Sequence, residues 1–333
     1  MNVLLKPIIA RFWRYSGLSR ERDCRRNFQA GEPVYYIVRR IMEWGGGGFF
    51  SNYFYAMSHI AYARSMGYVP VVDMQRYRTF YSEKAPILGT RNDWERYFPA
   101  TVSLEVALRS RNYILSPGSL LRTDFYPILE DDDSCSVDPE IQSRIFSLCR
   151  ADVFPLRSVT APVDEWFQTR FGDSKVLGIH YRGTDKREAH VGHRLAAGET
   201  ELIQCAAEMC RRDGISKVFL ASDEERVFRS LSEALPCPVF RMDCFRAGDL
   251  ADLGSKFGPR FHKESAGLHN SNLRQPRTNH RYRLGLEVLQ DAWALSRCTH
   301  LLCGHSNVSS AAMFFRETPF QEVRVVSSGA VKA

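Results

Sequence analysis

Apolar and β-branched residues fall in short runs along this chain, and between the runs apolar positions recur at helical spacing. The first run, Val34 to Val38, has the composition of a buried parallel strand. Four glycines follow at Gly45 to Gly48. From about Phe50 to Met66, the positions Phe54, Met57, Ile60, Ala61 and Arg64 keep helical spacing, and Gly67 is a stop signal. Tyr68 to Val72 reads as a second strand closed by Asp73, which completes one α/β unit. From Gln75 to Ala161 the pattern loosens. Asn92 to Tyr97 is a short aromatic and polar segment, and Asn112 to Leu115 is a strand ending before Pro117 and Gly118. Asp138, Pro139 and Glu140 open a helix running to about Cys149, with Asp138 as N-cap and proline at the first helical position.

The second half alternates more regularly. Strands are expected at Val176 to Tyr181, Val218 to Ala221, Val239 to Arg241, Leu301 to Cys303 and Val323 to Val326. Helices are expected at Glu201 to Arg212, Glu224 to Leu235, Tyr282 to Ser296 and Asn307 to Phe315, with a long polar connection from Gly248 to Asn279. This pattern predicts an α/β protein of two facing Rossmann-like domains with parallel sheets. Residues 1–173 would form an N-terminal domain on the acceptor side of a cleft. Residues 174–333 would form the C-terminal domain that binds a nucleotide.

Composition narrows the class. Hydrophobic residues at 44% and charged residues at 25% suit a chain that buries a core. Lys and Arg (45) exceed Asp and Glu (38), and the formal charge of +7 fits phosphate-bearing or acidic partners. The basic residues are scattered, without helix-turn-helix, zinc-finger or RNP-like patterns, so nucleic acid is not expected as a partner. Nine cysteines, none with CxxC spacing, indicate neither a zinc site nor a disulfide framework, and a reducing cytoplasm is the expected compartment. The N-terminal apolar run is too short to span a bilayer. Residues 1–26 therefore either pack on the protein's own body or lie as a basic amphipathic helix against the inner membrane face. The glycine cluster lacks the P-loop ending and the GxGxxG spacing, which disfavours an NTPase. It is either a structural turn or a close backbone approach to a ligand. Asp131 to Asp133 contain a DxD string, yet no apolar strand precedes it, so it reads as a solvated loop and no metal is expected.

Ligands of open α/β sheets bind outside the carboxyl ends of the strands. Three such ends carry suitable polar residues. In GIHYRGTDK (Gly178 to Lys186), His180 and Arg182 share one strand face, and Arg182 stands where a guanidinium can grip a diphosphate; the alternatives are a surface salt-bridge cluster of Arg182, Asp185 and Lys186 and, for His180, a satisfied core histidine. In FLASDE (Phe219 to Glu224), Ser222 or Asp223 is either an ordinary helix cap or part of a site. Asp291 lies on an otherwise apolar helix and needs a partner if buried. In GHSNVS (Gly304 to Ser309), Ser306, Asn307 and Ser309 open a helix whose N–H groups either suit a phosphate or are simply capped by Ser306.

The ordered series GIHYRGTDK, VFLASDE, SAGLHN and EVLQDAWALSRCTHLLCGHSNVSSAA resembles the core α-1,6-fucosyltransferases and the related rhizobial nodulation fucosyltransferase group, over roughly Val176 to Ala312. The resemblance implies a GT-B fold of two Rossmann-like domains and an inverting, metal-independent transfer of fucose from GDP-fucose to an oligosaccharide or polysaccharide. It implies that Arg182 holds the β-phosphate with Ser306 and Asn307 beside it. His180 and Asp291 would recognise guanine, Asp223 would lie near the ribose, and Lys186 would join a proton relay. The family's second adjacent arginine is replaced here by Gly183, and its acidic base aligns near His190 with Glu188 two residues earlier. Both Glu188 and His190 are therefore candidate bases. Another nucleotide sugar as donor and a non-catalytic nucleotide-sugar or glycan-binding module are the alternatives.

Overall fold

The computed structural model describes residues 29, 31–40, 47–110, 112–118, 123–128, 136–181, 194–196, 198–222, 224–244 and 278–330. The chain forms two compact units, Met1–Pro127 with Asp138–Leu156, and Ile128–Val137 with Arg157–Ala333.

The first unit is built on β1 (Tyr35–Val38), α1 (Phe49–Ser65), β2 (Val69–Val72), α2 (Leu104–Arg109), β3 (Tyr113–Leu115) and α3 (Pro139–Val153). Its sheet runs β2-β1-β3, every pair parallel, so β1 is central. Ile37, Val71 and Leu115 on the strands pack with Leu104 and Ala107 of α2. Helix α1 buries Phe54, Met57, Ile60 and Ala61 as its spacing requires, but it also buries Asn52, Ser58 and His59, so neighbours cover most of its circumference. Gly67 follows it with φ 73°, a left-handed turn that a glycine takes without strain. Asp138 caps α3 as expected, accepting from the Glu140 and Ile141 N–H groups. That helix continues past the expected end near Cys149, where a non-helical residue (φ −153°, ψ 26°) kinks it.

The second unit comprises α4 (Arg157–Phe171), β4 (Val176–Tyr181), β5 (Arg194–Ala196), α5 (Glu199–Asp213), β6 (Lys217–Ser222), α6 (Glu225–Ala234), β7 (Val239–Phe240), α7 (His280–Arg297), β8 (His300–Cys303), α8 (Asn307–Phe314), β9 (Glu322–Val325) and β10 (Ser327–Ala330). Five strands form one parallel sheet, β7-β6-β4-β8-β9, while β5 and β10 pair antiparallel, a ribbon the sequence pattern did not predict. The sheet buries Leu177, Ile179, Leu220 and Leu302 against Leu202, Ala206 and Met209 of α5 and Val227 and Leu231 of α6. Residues 157–171, on the N-terminal side of the expected division after 173, belong to this unit. Asp164 on α4 accepts from the Trp293 indole at 2.9 Å and from Arg297 at 3.0 Å on α7. Among the described residues no helix is long and apolar enough to cross a membrane.

A strand buried on both sides needs close cover, and β4 is fully buried along its length. Gly178 at its centre makes that cover tight. A Cβ there would meet Cys298 Sγ at 3.0 Å and Leu295 Cδ2 at 3.1 Å. Cys298 and Cys303 are fully buried thiols outside any disulfide that pack as small hydrophobes, and burial pushes the Cys298 thiol well above its ordinary pKa.

Candidate functional site

The five-stranded sheet has one position where crossovers diverge. From β4 the chain proceeds to β6 and β7 on one side, and β8 and β9 lie on the other. The carboxyl ends of β4 and β8 therefore flank a topological switch point, where ligands of open α/β sheets bind.

His180 is the penultimate residue of β4 and pairs in register with Cys303, the last residue of β8, and with Ala221 of β6. It is only 6% exposed. Its Nδ1 and Ser309 Oγ share a buried hydrogen bond of 2.8 Å that spans the switch point to the first turn of α8. Ser309 Oγ also donates to the Gly304 carbonyl at 3.2 Å. A serine has one proton, so with that proton on Gly304 the imidazole donates from Nδ1.

The turn between β8 and α8 carries the remaining expected residues. Ser306 caps α8 and accepts from the Val308 N–H at 3.2 Å, so the capping reading of this serine holds. A second serine, Ser310, donates to the Ser306 carbonyl at 3.3 Å. Asn307 begins the helix and is exposed. No acidic side chain occupies the first turn, so the helix presents the positive end of its dipole beside His180.

Asp291 sits midway along α7, half-buried, with its carboxylate accepting from the Cys244 thiol at 3.8 Å. Cys244 lies four residues past β7 and was not singled out in the sequence. At the end of β6, Ser222 Oγ accepts from the Glu224 N–H at 3.1 Å, and Glu224 occupies the cap position of α6 without a side-chain capping bond. The expected helix cap at Ser222 is thus a tight turn one step earlier. Tyr181 and Ser222 pair in register, and Arg182 and Asp223 come next in the chain. Arg182, Lys186, Glu188, His190 and Asp223 lie outside the described residues, as do residues 1–26, the DxD string at 131–133 and the SAGLHN segment.

No protein-family model matches the chain, and no curated protein matches it. Solved structures do. The chain is 16% identical to a NodZ alpha-1,6-fucosyltransferase soaked with GDP-fucose over 86% of this chain and 93% of that one, with a TM-score of 0.49. It is 15% identical to fucosyltransferase NodZ from Bradyrhizobium over 84% of this chain and 93% of that one, with a TM-score of 0.48. POFUT1 in complex with GDP is 9% identical over 89% of this chain and 99% of that one, with a TM-score of 0.47.

Proposed function

We propose that this protein is a GT-B-like glycosyltransferase that moves fucose from GDP-fucose to a glycan with inversion and without a metal. The observation that supports it most directly is the His180–Ser309 bond across the β4/β8 switch point, beside the uncompensated N-terminus of α8. That arrangement gives a diphosphate a positive helix end and gives a base edge a fixed imidazole. With its ring fixed by Ser309, His180 would face an edge of guanine. The identity of guanine and fucose rests on the ordered motif resemblance from Val176 to Ala312.

The chemistry follows from where charge develops. As the fucose–phosphate bond breaks, the sugar becomes oxocarbenium-like and GDP gains negative charge. Arg182 and the N–H groups at Ser306 and Asn307 would meet that charge without solvent rearrangement. An acceptor hydroxyl would attack from the opposite face, its proton taken by Glu188 or His190 with Lys186 in the relay. Asp291 and Asp223 would hold the nucleoside.

Arg182→Ala removes one fixed donor to the leaving group, a loss of about 2.7–4 kcal/mol at comparable sites, so turnover should fall ~10²–10³-fold. GDP release at the wild-type rate by this variant, with GDP-fucose and a working acceptor, would contradict the assignment. Full activity in both Glu188→Gln and His190→Ala would remove both as the base, and no GDP release by the wild type with GDP-fucose and a panel of glycans would favour a binding module over an enzyme. A donor panel separates GDP-fucose from other nucleotide sugars.

A further inference from the structure

The first unit has its own switch point. Its sheet order β2-β1-β3 places β1 at the centre, with the chain crossing to β2 on one side and reaching β3 on the other. The residues that follow these strands are Arg39 and Arg40 after β1, Asp73 after β2 and Ser116 after β3.

Arg39 is 5% exposed. Its Nε donates to the Ser116 carbonyl at 2.9 Å and its Nη1 to the Tyr77 hydroxyl at 3.3 Å. Arg40 reaches the first turn of α1, donating from Nη1 to Asn52 Oδ1 at 2.8 Å and to Ser51 Oγ at 3.1 Å. Its guanidinium lies 5.4 Å from the Tyr55 ring centroid, and its buried Nε has no partner. Burial lowers the Arg40 pKa from its ordinary value, opposed by Tyr55 and Tyr126.

All these partners are neutral. The other deep arginine of this unit is different. Arg96, 1% exposed, pairs with Asp93 at 2.8 Å. Arg64 likewise pairs with Asp152 at 2.8 Å. A guanidinium removed from water normally needs a negative charge in return, and among the described residues neither Arg39 nor Arg40 has a carboxylate partner. Arg40 lines a pocket with Val38, Asn52, Tyr55, Asp73 and Tyr77. The acid there is already engaged, since Asp73 accepts from Arg76 Nε at 2.5 Å and from the Arg76 N–H at 3.0 Å. Helix α1 begins at the same place with no acidic residue in its first turn and no side-chain cap from Gly48.

We infer that the carboxyl end of β1 is a second anion site, in which Arg40 receives an oxyanion (phosphate, sulfate or carboxylate) and the buried Arg39 beside it in the chain adds positive charge. The fork geometry of a guanidinium suits such planar or tetrahedral oxyanions through two parallel N–H bonds. The site lies wholly within the first unit and stands whether or not fucose is the sugar transferred.

Sulfate titrated calorimetrically into the full-length protein, with and without saturating GDP and against chloride at equal ionic strength, tests this. The expected result is saturable sulfate binding whose affinity Arg40→Gln lowers at least about tenfold. Binding that persists under saturating GDP supports a site apart from the nucleotide; binding that GDP removes in the wild type places the anion at the nucleotide site of the second unit and overturns the inference. Arg40→Lys keeps the charge and loses the fork, so it should fold where the glutamine variant fails and still bind sulfate several-fold more weakly than wild type. A sulfate response no larger than that of chloride, or equal affinity in wild type and either Arg40 variant, overturns the inference.

Discussion

Ser309 has one proton and two neighbours, the Gly304 carbonyl and the His180 ring, and it holds both in place. Ser309→Ala removes the buried hydrogen bond to the His180 Nδ1, worth about 0.5–1.5 kcal/mol. Denaturant unfolding should show that loss, and GDP binding should weaken at least several-fold because the ring is no longer oriented. Unchanged GDP affinity in the variant would remove His180 from the nucleotide site. The role of Ser306 as a cap was readable from its place before Asn307 and an apolar helix. Ser309 as the partner of His180 was not, because the two are 129 residues apart and only strand register brings them together. The same holds for Cys244 beside Asp291, and for Ser116 clasping Arg39 across adjacent strands.

At the scale of elements, the packing of α7 on β4 turns on one missing methyl. Gly178→Ala forces a Cβ against Leu295 and Cys298 at 3.0–3.1 Å, so overpacking should destabilise the protein by about 1–3 kcal/mol. A urea midpoint equal to wild type would show that α7 shifts freely. Asp138→Ala removes the acceptor for two N–H groups of α3 and should cost about 1 kcal/mol by the same measurement. Elements with strong local signals were legible: β4 occupies the span its apolar run predicted, and α3 begins where its aspartate–proline pair requires. Helix α4 was missed because Pro162 stands inside it and reads as a breaker, although tertiary contacts of Asp164 with α7 hold it. The β5/β10 ribbon joins segments far apart in sequence, which periodicity cannot register.

At the scale of the whole molecule, the alternating pattern was sufficient to predict two α/β units with parallel sheets. It did not locate the division between them, because α4 joins the second unit through side-chain contacts rather than through any change in composition. Stability should also carry a histidine signature. His300 is buried at the start of β8, and desolvation lowers its pKa from the ordinary 6.5, against the raising effect of Asp213 and Glu322. A folded-state pKa below the unfolded one means that the unfolded chain binds more protons in that window. Stability from this group is therefore full above about pH 6.5 and lost as pH falls through the folded value. The unfolding midpoint should drop on acidification from pH 7, and the slope should be smaller in His300→Gln. An identical slope would assign the dependence to other groups. A guanine nucleotide at the β4/β8 switch point should reveal itself when GDP, UDP and ADP are titrated into the metal-free protein. GDP should bind at least about tenfold more tightly than either of the others. Equal binding of all three, tighter binding of UDP or ADP, or no binding of GDP would contradict it.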